Sequence, residues 1–434
     1  QDQIAWVLTS YIVVSAIATP LAGWLGARLG LRPVLTVSVA GFTVASMLCG
    51  LSTSLGQMVV CRGLQGAFGA ALVPLSQVVL LESFPREAQG RATALWGMGV
   101  MVGPILGPTL GGWLTDNLDW RWAFYINVPV GFVAYLGLAA APGKPAAAAP
   151  RPFDLTGFLL LAAAIGFFQL GIDRGETQDW FASTEIVAEA LLAALAFYMC
   201  VVHTLTRRES FVDRTLFGDR NFCVALVIMF AVGVAVISPT VLLPSFLQQL
   251  QGYSPTQAGE LLAARGVASI IGMLAAGRLV NRVPARLLMA AGVTLTTLSL
   301  WLMAGFNLDS GWEQVALAGF VQGLGVPLAF VPLTVVAYST LRDSQRAEAG
   351  ALLTLLRNIG ASVGISVTVA LLGRSTQANQ GYLAEHFTAF DAGRWQALGH
   401  APAADANTAA FVGELARQAA AIAYANDFRL LTAV

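Results

Sequence analysis

The sequence predicts an all-α polytopic membrane protein. Hydrophobic residues make up 56% of its 434 residues and charged residues only 11%, with a mean hydropathy of +0.70, whereas roughly a quarter of the residues of a soluble domain are charged. Apolar runs of about 20 residues recur along the chain, which is the length that a helix needs to cross a hydrocarbon core of about 30 Å. The basic residues are concentrated in alternate loops between these runs, as expected for a chain that crosses a membrane repeatedly.

Twelve apolar runs are bounded by charged or turn-forming residues, and each is predicted to form one membrane-crossing helix. They cover residues 4–24, 33–54, 57–81, 91–113, 122–141, 155–172, 184–205, 221–246, 257–279, 286–306, 313–339 and 348–373. Buried helices of soluble proteins seldom continue this far without a charge. The runs therefore favour a membrane bundle over a water-soluble core.

The distribution of basic residues predicts which way the chain is oriented. Fifteen of them fall in one set of alternate loops, namely Arg28, Arg32, Arg86, Arg91, Lys144, Arg151, Arg207, Arg208, Arg214, Arg220, Arg278, Arg282, Arg286, Arg342 and Arg346. The short loops of the other set contain only Arg121 and Arg174. The first set is therefore predicted to face the cytoplasm. Gln1 then lies outside, and an odd number of spans, most simply one, is expected upstream.

Residues 374–425 follow the last predicted span. They are polar, with glycine and asparagine, and are expected to form an external loop that carries short helices. Residues 426–434 are expected to begin a further apolar helix. The sequence thus predicts a bundle that lacks its first and last helices.

Two halves of the chain share a pattern. The segment that begins at Gly23 matches the segment that begins at Gly277, 254 residues later, and Gln65, Gly103 and Gly107 match Gln322, Gly360 and Gly364, each 257 residues later. A parallel duplication of this kind is typical of transporters built from two similar bundles. The predicted organisation is an N-terminal bundle at 1–141, a linker and inserted helix pair at 142–210, and a C-terminal bundle at 211–434.

Two loops of the predicted cytoplasmic side combine glycine with arginine. The residues concerned are Gly23, Arg28, Gly30 and Arg32 in the first copy, and Gly277, Arg282 and Arg286 in the second. Glycine permits close helix approach and tight turns, and arginine can bond the terminal carbonyls of a helix. The loops are therefore predicted to form an inner gate. The alternative is that the arginines only establish the orientation of the chain.

Three arginines lie inside predicted spans: Arg62, Arg265 and Arg357. An arginine in a membrane span costs about 3 kcal/mol or more unless it meets a cavity, a partner or water, so each is a candidate functional residue. For Arg62 the alternative is that its side chain reaches the near membrane surface, because it lies only about five residues into its span.

A stripe of glycine and proline runs along the span 91–113. It consists of Gly99, Gly103, Pro104, Gly107, Pro108, Gly111 and Gly112. Glycines four residues apart make a flat face that another helix backbone can approach, and proline bends the helix. We predict that this span packs against 257–279, which has small residues at Gly266, Ser269, Gly272 and Ala276.

These motifs resemble those of the major facilitator superfamily. The loop at 23–32 is similar to the family's Gly-x-Leu-Ala-Asp-Arg-x-Gly-Arg-Lys motif, although Ala27 and Asn281 replace its acidic residue. Arg62-Gly63-Leu64-Gln65-Gly66 resembles its Arg-x-x-Gln-Gly helix, and the glycine-proline stripe resembles the antiporter motif of its exporters. With Trp120-Arg121-Trp122 and Arg357-Asn358-Ile359-Gly360, the chain resembles the fourteen-helix EmrB/QacA branch of drug:proton antiporters, of which it would hold helices two to thirteen.

The resemblance implies a major facilitator fold and proton-driven export of an amphipathic compound across the bacterial inner membrane. It implies a central cavity, for which the candidate residues are Tyr11, Gln65, Gln77, Trp96, Asn127, Arg265, Arg357 and Asn358; each could equally hold helices together. Proton coupling needs a carboxylate that titrates near ambient pH. Arg62, Glu189 and Glu260 are the candidates here, although both glutamates lie near span ends, and the branch usually has an acidic residue in its first helix.

Partners and alternatives follow from the same resemblance. Members of the branch often work with a periplasmic adaptor and an outer-membrane channel, for which 374–425 is the expected docking segment. An exporter of one metabolite or siderophore, a proton-linked importer and a channel remain alternatives.

Other function classes lack their sequence signals. No Walker-type loop, catalytic cluster or metal-ligand cluster is apparent in the sequence. The net charge of zero gives no basic excess for nucleic acid. No cofactor is therefore expected, and the energy source is predicted to be the proton gradient.

Overall fold

The computed structural model describes residues 2–140, 153–207, 210–385 and 405–433, and in these ranges all regular structure is helical. The helices are α1 (Asp2–Leu29), α2 (Leu31–Leu51), α3 (Leu55–Gly69), α4 (Leu72–Ser83), α5 (Gln89–Asn117), α6 (Trp122–Tyr125), α7 (Asn127–Ala140), α8 (Leu155–Arg174), α9 (Thr184–Thr206), α10 (Arg220–Ser245), α11 (Pro255–Leu279), α12 (Ala285–Met303), α13 (Trp312–Ser339), α14 (Asp343–Glu385) and α15 (Asp405–Thr432). Each of the twelve predicted spans has its counterpart among them.

Eleven described segments are long and apolar enough to cross a membrane. The 29-residue helix α5, the counterpart of the predicted span 91–113, is not counted among them. These segments make the chain a multi-pass membrane protein. The end of the bundle that carries the described residues of the basic set, among them Arg28, Arg214 and Arg278, is called the basic end below.

Several helices begin at polar caps that satisfy free N–H groups. The Oγ of Ser254 accepts from the N–H of Gln257 at 3.2 Å while the Gln257 side chain accepts from the N–H of Ser254 at 2.9 Å. This reciprocal pair starts α11 immediately before Pro255. Asp219 caps α10 in a similar way, by accepting from the N–H of Phe222 at 2.9 Å.

Two predicted spans are each broken into two helices. The break between α3 and α4 falls at Ala70–Ala71, and Pro74 cannot donate to the carbonyl of Ala70, four residues before it. The break between α6 and α7 falls at Ile126, and Pro129 likewise cannot donate to the carbonyl of Tyr125. The sequence did not indicate these two breaks, because apolar residues continue through both spans.

The internal repeat appears as two equivalent contacts between the halves. Helix α1 packs against α14 and α11 packs against α5, and the repeat relates α1 to α11 and α5 to α14. At the basic end, a Cβ added to Gly23 would lie 2.7 Å from the Cβ of Ala351, and one added to Gly277 would lie 2.7 Å from the Cβ of Ala94. Ala94 and Ala351 are again 257 residues apart, so the same small-residue contact joins the halves twice.

The inserted pair α8–α9 lies beside the junction of the halves. Helix α8 contacts both α1 and α14. Thr9 of α1 donates to Asp173 of α8, Gln169 of α8 donates to Ser362 of α14 at 2.8 Å, and Ser366 of α14 donates to the carbonyl of Ile172 at 3.0 Å. Helix α8 is therefore bonded to both halves.

The buried carboxylate of Asp154 connects α8 and α9 at the basic end. Asp154, which caps α8, accepts from the N–H groups of Gly157 and Phe211, both at 3.1 Å, and is 2.8 Å from His203 Nε2. Burial alone would raise the pKa of Asp154, but the bonds from Gly157, His203 and Phe211 hold that pKa below its usual value. Arg207 adds a contact at 3.4 Å. Asp154 thus fastens α8 to α9 and to the chain that leads into α10.

The prediction of an external loop at 374–425 is wrong over its described part. Helix α14 continues to Glu385, and α15 runs from Asp405 to Thr432, so the last helix is present rather than only begun at 426; residues 386–404 lie outside the described ranges. Asn379 donates to the carbonyl of Ala419 at 3.3 Å, and Arg417 donates to that of Leu250 at 2.8 Å. The predicted division at 141–142 and at 210–211 stays a prediction.

Candidate translocation site

The buried polar centre of the first half is built around Arg62 of α3. Its Nη1 donates to Gln65 Oε1 at 2.7 Å and its Nε to the carbonyl of Val7 at 3.3 Å. The guanidinium lies 4.4 Å from the ring centroid of Tyr11 and 5.8 Å from that of Phe124, distances at which cations interact with aromatic faces. Arg62 is therefore held between α1, α3 and α6 by contacts within the first half.

Glycine allows α1 and α3 to cross closely enough for this centre to form. A Cβ added to Gly66 would lie 2.5 Å from the carbonyl oxygen of Tyr11, a distance that no side chain can occupy without moving a helix. The structure thus brings the predicted residues Tyr11, Arg62 and Gln65 together. Asn127 lies nearby, since it donates to Ser46 Oγ at 3.0 Å and Ser46 donates to the carbonyl of Phe124 at 2.9 Å.

The second half has an arginine at the equivalent helix crossing, but on the other helix. Arg265 of α11 is 254 residues after Tyr11, and Gly319 of α13 is 257 residues after Arg62. The Cβ of Arg265 is 3.5 Å from the position that a Cβ on Gly319 would take. The side chain of Arg265 then extends to α10, where it donates to Thr240 Oγ1 at 2.8 Å and to the carbonyl of Val236 at 3.1 Å.

Because the arginine lies on a different helix in the second half, Gln322 lacks the partner that Gln65 has in the first half. Gln322 occupies the position equivalent to Gln65, is 0% exposed, and has no hydrogen bond to either amide atom. Gln65 accepts a hydrogen bond from Arg62. Gly319 occupies the position equivalent to Arg62 and has no side chain that could donate to Gln322. A buried amide without partners costs on the order of 2 kcal/mol, so the second half is less completely satisfied than the first.

The other candidate cavity residues are dispersed. Trp96 donates to Ser76 Oγ at 2.9 Å and stacks on Phe330 of the other half with ring centroids 6.3 Å apart. Gln77 is buried, with no hydrogen-bond partner for its Nε2. Asn358 is exposed. These residues do not form one cluster with Tyr11, Arg62 and Gln65.

Among the described residues, neither carboxylate predicted for proton coupling bonds to Arg62. Glu189 of α9 is 8% exposed and lies 3.9 Å from Nη1 of Arg174, and its Oε2 has no hydrogen bond. Glu260 is exposed near the start of α11. The structure therefore does not place Arg62, Glu189 and Glu260 in one site.

Sequence reasoning missed a buried carboxylate in the second half. Asp427 of α15 is 2% exposed, and its Oδ2 has no hydrogen-bond partner. It lies among the buried aromatic residues Tyr424 and Phe428. A signal was present, because Asp427 falls one helical turn from Tyr424 and from Leu431, on their apolar face. The sequence places Asp427 at the beginning of the further helix expected at 426–434, where it was assigned no role.

The two gate loops differ from their predicted roles. Arg32 donates to the carbonyls of Leu138 and Ala139 at 2.8 and 2.6 Å, but these end α7 in the same half. Arg28 lies 5.0 Å from the ring of Trp24. Gly30, with φ 91°, allows the turn into α2. Arg32 thus joins helices within one half.

In the second copy, Arg282 and Arg286 are exposed. A bond across the halves comes from Asn281, whose amide donates to the carbonyl of Glu87. The junction at the basic end therefore includes Asn281 and the close approaches at Gly23 and Gly277.

The predicted contact between α5 and α11 exists, but the glycine stripe does not make it. It is made nearer the basic end, where Ala94 meets Gly277 and a Cβ on Gly97 would lie 2.5 Å from Met273 Cε. Added Cβ atoms at Gly99, Gly103, Gly107 and Gly111 would meet nothing within 4 Å. Pro104, Pro108 and Gly112 are part of α5, and their side-chain surroundings lie outside the described part of the structure.

The internal repeat relates the glycine-proline stripe of α5 to a packed surface of α14. Gly360 and Gly364, the counterparts of Gly103 and Gly107, pack against α10, where added Cβ atoms would meet the carbonyl of Phe230 and lie 2.9 Å from the Cα of Val234. The stripe is therefore equivalent to a helix-packing surface that is occupied in the second half.

Two repeated helical bundles that touch at the basic end, each with a partly buried arginine at the same helix crossing, are typical of one class of membrane protein, the secondary transporters. The sequence comparisons place the chain within that class. Residues 1–365 match the family model of the Major Facilitator Superfamily, and the chain belongs to this family.

Curated relatives and solved structures agree with this assignment. The chain is 35% identical over 399 residues to the fatty acid resistance protein FarB of Neisseria gonorrhoeae, covering 92% of this chain and 79% of that protein. It is 35% identical over 392 residues to the multidrug export protein EmrB of Haemophilus influenzae, covering 90% and 77%. The fold resembles that of the proton:xylose symporter XylE, with a TM-score of 0.59 and 14% identity over 99% of this chain and 85% of that one.

Proposed function

We propose that the protein exports small amphipathic molecules in exchange for protons, by rocking its two halves about a cavity between them. Membership of the Major Facilitator Superfamily and the names of its relatives, multidrug export protein and fatty acid resistance protein, support export. The observation that carries the mechanism is the paired junction at Gly23–Ala351 and Gly277–Ala94. Small residues in tight contact at one end can separate as rigid bodies while the bundles stay intact.

The buried carboxylates support the proton part of the proposal. An ionised carboxylate without a partner is expensive in an apolar interior, so Asp427 and Glu189 are suited to exchange a proton when their surroundings change. The relatives are bacterial proteins, and the proposed location of this multi-pass protein is a bacterial inner membrane.

The proposed function is tested by transport in proteoliposomes that contain the purified full-length protein. Efflux of ethidium or of a fatty acid should follow the pH gradient and should reverse when the gradient is reversed. Arg62→Gln should lower the rate at least about tenfold, because it removes the charge that holds Tyr11, Gln65 and the carbonyl of Val7 together. Arg220→Gln is the matched control, since Arg220 is exposed at the start of α10 and its replacement should leave the rate unchanged.

Three outcomes would contradict the proposal. Flux that ignores the pH gradient would indicate a channel or a uniporter. Uptake in the direction of proton flow would indicate a symporter. An unchanged rate in Arg62→Gln would remove the first-half centre from the mechanism.

We further propose that a periplasmic adaptor docks at the end opposite to the basic end. The helices that replace the expected loop, the end of α14 and the start of α15, present exposed residues there, among them Tyr382 and Val412. Photo-crosslinkers at these two positions should capture a co-expressed adaptor. Capture that occurs only from positions at the basic end would contradict this docking site.

A further inference from the structure

A cavity of about 350 Å³ lies at the basic end, between α5 of the first half and α11 of the second. Its volume falls within the usual range of ligand pockets, roughly 300–1,000 Å³. Ala94 and Gly277, whose close approach joins the two halves, both line this cavity. Any movement of one half against the other at this end must therefore change the cavity.

Each half contributes one arginine to the cavity, Arg91 from the first turn of α5 and Arg278 from the last turn of α11. A Cβ added to Gly277 would lie 3.4 Å from the Cα of Arg91, and Arg278 is the next residue after Gly277. Nη1 of Arg278 donates to the carbonyl of Leu274 at 3.4 Å, so this side chain lies along the part of α11 that borders the cavity. Both arginines are exposed and can be reached by a ligand.

The charges of Arg91 and Arg278 favour an anion in this cavity. Two guanidiniums that meet at one contact between the halves repel each other, and an anion between them replaces this repulsion by two attractions. A guanidinium binds phosphate through paired N–H···O bonds of a fixed planar geometry. The charged part of the cavity therefore suits a phosphate group.

The remaining wall of the cavity is apolar and includes Leu95, Met98 and Leu274. Leu95 is 58% exposed and Leu274 is 40% exposed, so both can contact a hydrocarbon chain. The two arginines lie where α5 begins and α11 ends, which is the level at which lipid phosphates lie. Basic pockets between membrane-spanning helices bind anionic lipid head groups in other proteins. A phosphate with an attached hydrocarbon chain, as in a phospholipid, therefore matches both parts of the cavity.

The internal repeat offers a comparison with the other junction of the halves. Arg91 corresponds to Glu348, 257 residues later, and Arg278 corresponds to Trp24, 254 residues earlier. The chain itself covers these counterparts, because the ring centroid of Phe153 lies 4.8 Å from that of Trp24 and a backbone N–H ahead of α10 donates to Glu348. One junction thus has an acidic and an aromatic residue in contact with protein, and the other has two arginines beside a cavity.

We propose that Arg91 and Arg278 bind the phosphate of an anionic phospholipid from the membrane leaflet at the basic end, and that this lipid holds the basic end closed. A zwitterionic lipid has the same phosphate but adds a cation, which would face the same two guanidiniums. Because each half supplies one arginine, the complete site exists only while the halves are in contact, and a ligand that prefers one state increases its population. The effect on closure rests on the proposed rocking of the halves, whereas lipid binding does not depend on it.

Binding is measured by native mass spectrometry of the purified full-length protein in detergent. The three probes are dioleoylphosphatidylglycerol, dioleoylphosphatidylcholine and glycerol 3-phosphate. Phosphatidylglycerol should bind more tightly than phosphatidylcholine, which has the same chains. Glycerol 3-phosphate should bind most weakly, because it has no chain for the apolar wall. Arg91→Gln and Arg278→Gln should each weaken phosphatidylglycerol about fivefold, which corresponds to about 1 kcal/mol for one arginine at a membrane surface.

The matched control is the double variant Arg214→Gln/Arg220→Gln. It removes two charges from exposed positions of the basic end that do not line the cavity, so the net charge changes as in Arg91→Gln/Arg278→Gln. The control should keep the preference for phosphatidylglycerol. Arg91→Lys/Arg278→Lys keeps the charge without the planar fork and should keep part of that preference, with an unchanged melting temperature.

Four results would overturn the lipid site. They are equal binding of the two lipids by the wild type, unchanged phosphatidylglycerol binding in Arg91→Gln/Arg278→Gln, an equal loss in the matched control, and tighter binding of glycerol 3-phosphate than of phosphatidylglycerol. An equal loss in the control would indicate a general attraction of the basic end for anionic lipid. Tighter binding of glycerol 3-phosphate would assign the cavity to a soluble phosphate compound.

Closure of the basic end is measured at the other junction, by the rate at which Gly23→Cys forms a disulfide with Ala351→Cys in nanodiscs. Neither position lines the cavity. Addition of phosphatidylglycerol to phosphatidylcholine nanodiscs should raise this rate several-fold, and Arg91→Gln/Arg278→Gln should abolish the increase. A rate that does not respond to phosphatidylglycerol, in a protein that binds it, would overturn the effect on closure.

Transport distinguishes the lipid site from the proposed function. A wild-type protein that exports its substrate with the pH gradient but binds both lipids equally would refute the lipid site alone. A wild-type protein that binds phosphatidylglycerol through Arg91 and Arg278 but exports nothing would refute the proposed function and leave the lipid site in place.

Discussion

Cross-linking Ala94→Cys to Gly277→Cys should stop transport completely and reversibly. The Cβ positions of these residues are 2.7 Å apart across the halves, and a disulfide needs about 3.5–4.5 Å, so a small separation allows it to form. Alternating access requires the basic end to open, which the bond would prevent. The measurement is the rate of export in proteoliposomes after oxidation and again after dithiothreitol, in a background without the four native cysteines.

The repeat supplies a second pair with the same expected result, Gly23→Cys with Ala351→Cys. A control pair, Thr53→Cys with Gln57→Cys, joins neighbours within the first half, whose side chains are 3.0 Å apart and exposed. That bond should leave the rate unchanged. If export continues at full cross-linking of Ala94→Cys/Gly277→Cys, the basic end is not the moving gate.

The sequence was sufficient to predict the twelve spans and the duplication. Apolar runs of membrane-spanning length are a strong signal, because the bilayer requires each span to satisfy its own backbone hydrogen bonds. The 254–257-residue offset of Gly23 and Gln65 reappears in the structure as the equivalent contacts at Ala351 and Ala94. The length required to cross a bilayer and the internal repeat therefore made the order and pairing of the helices predictable.

The partners of individual residues were much less predictable. The glycines of α5 show that a backbone can approach, but not which helix does so, and the contact with α11 is made by Ala94 and Gly97 instead. Helix α15 was missed because its alanine-rich, polar surface has low hydropathy, although Tyr424, Asp427 and Phe428 are buried. A helix of low hydropathy is recognised by the residues that it buries. Those residues depend on which helices pack against it.

The arginine at this helix crossing lies on α3 in the first half and on α11 in the second half. In the first half, the guanidinium of Arg62 is enclosed by Tyr11, Gln65 and Phe124. In the second half, the arginine begins at α11 and extends to α10, and Gln322 is left without a partner. Two halves that share a fold thus differ in their free hydrogen-bonding capacity. A transporter needs such asymmetry if one half fixes the structure and the other binds a changing cargo.

Gly360→Val should be the most destabilising single substitution among the glycines of α14. A Cβ at this position would overlap the carbonyl of Phe230, which belongs to the backbone of α10 and cannot rotate away. Helices α10 and α14 would have to separate, at a cost of about 1–3 kcal/mol or more, and the backbone contact of Arg357 with Gly233 would be lost. Thermal unfolding of the purified protein, followed by the fraction that stays monodisperse, measures this effect.

Gly381→Val is the matched control, because Gly381 lies in the same helix and a Cβ there would meet nothing within 4 Å. Both substitutions exchange glycine for the same β-branched residue, so the difference in helix propensity cancels and only the contact with α10 distinguishes them. Gly360→Ala should fall between the two, since it adds the Cβ without the branches. Equal melting temperatures for Gly360→Val and Gly381→Val would show that α10 and α14 are not closely packed at this point.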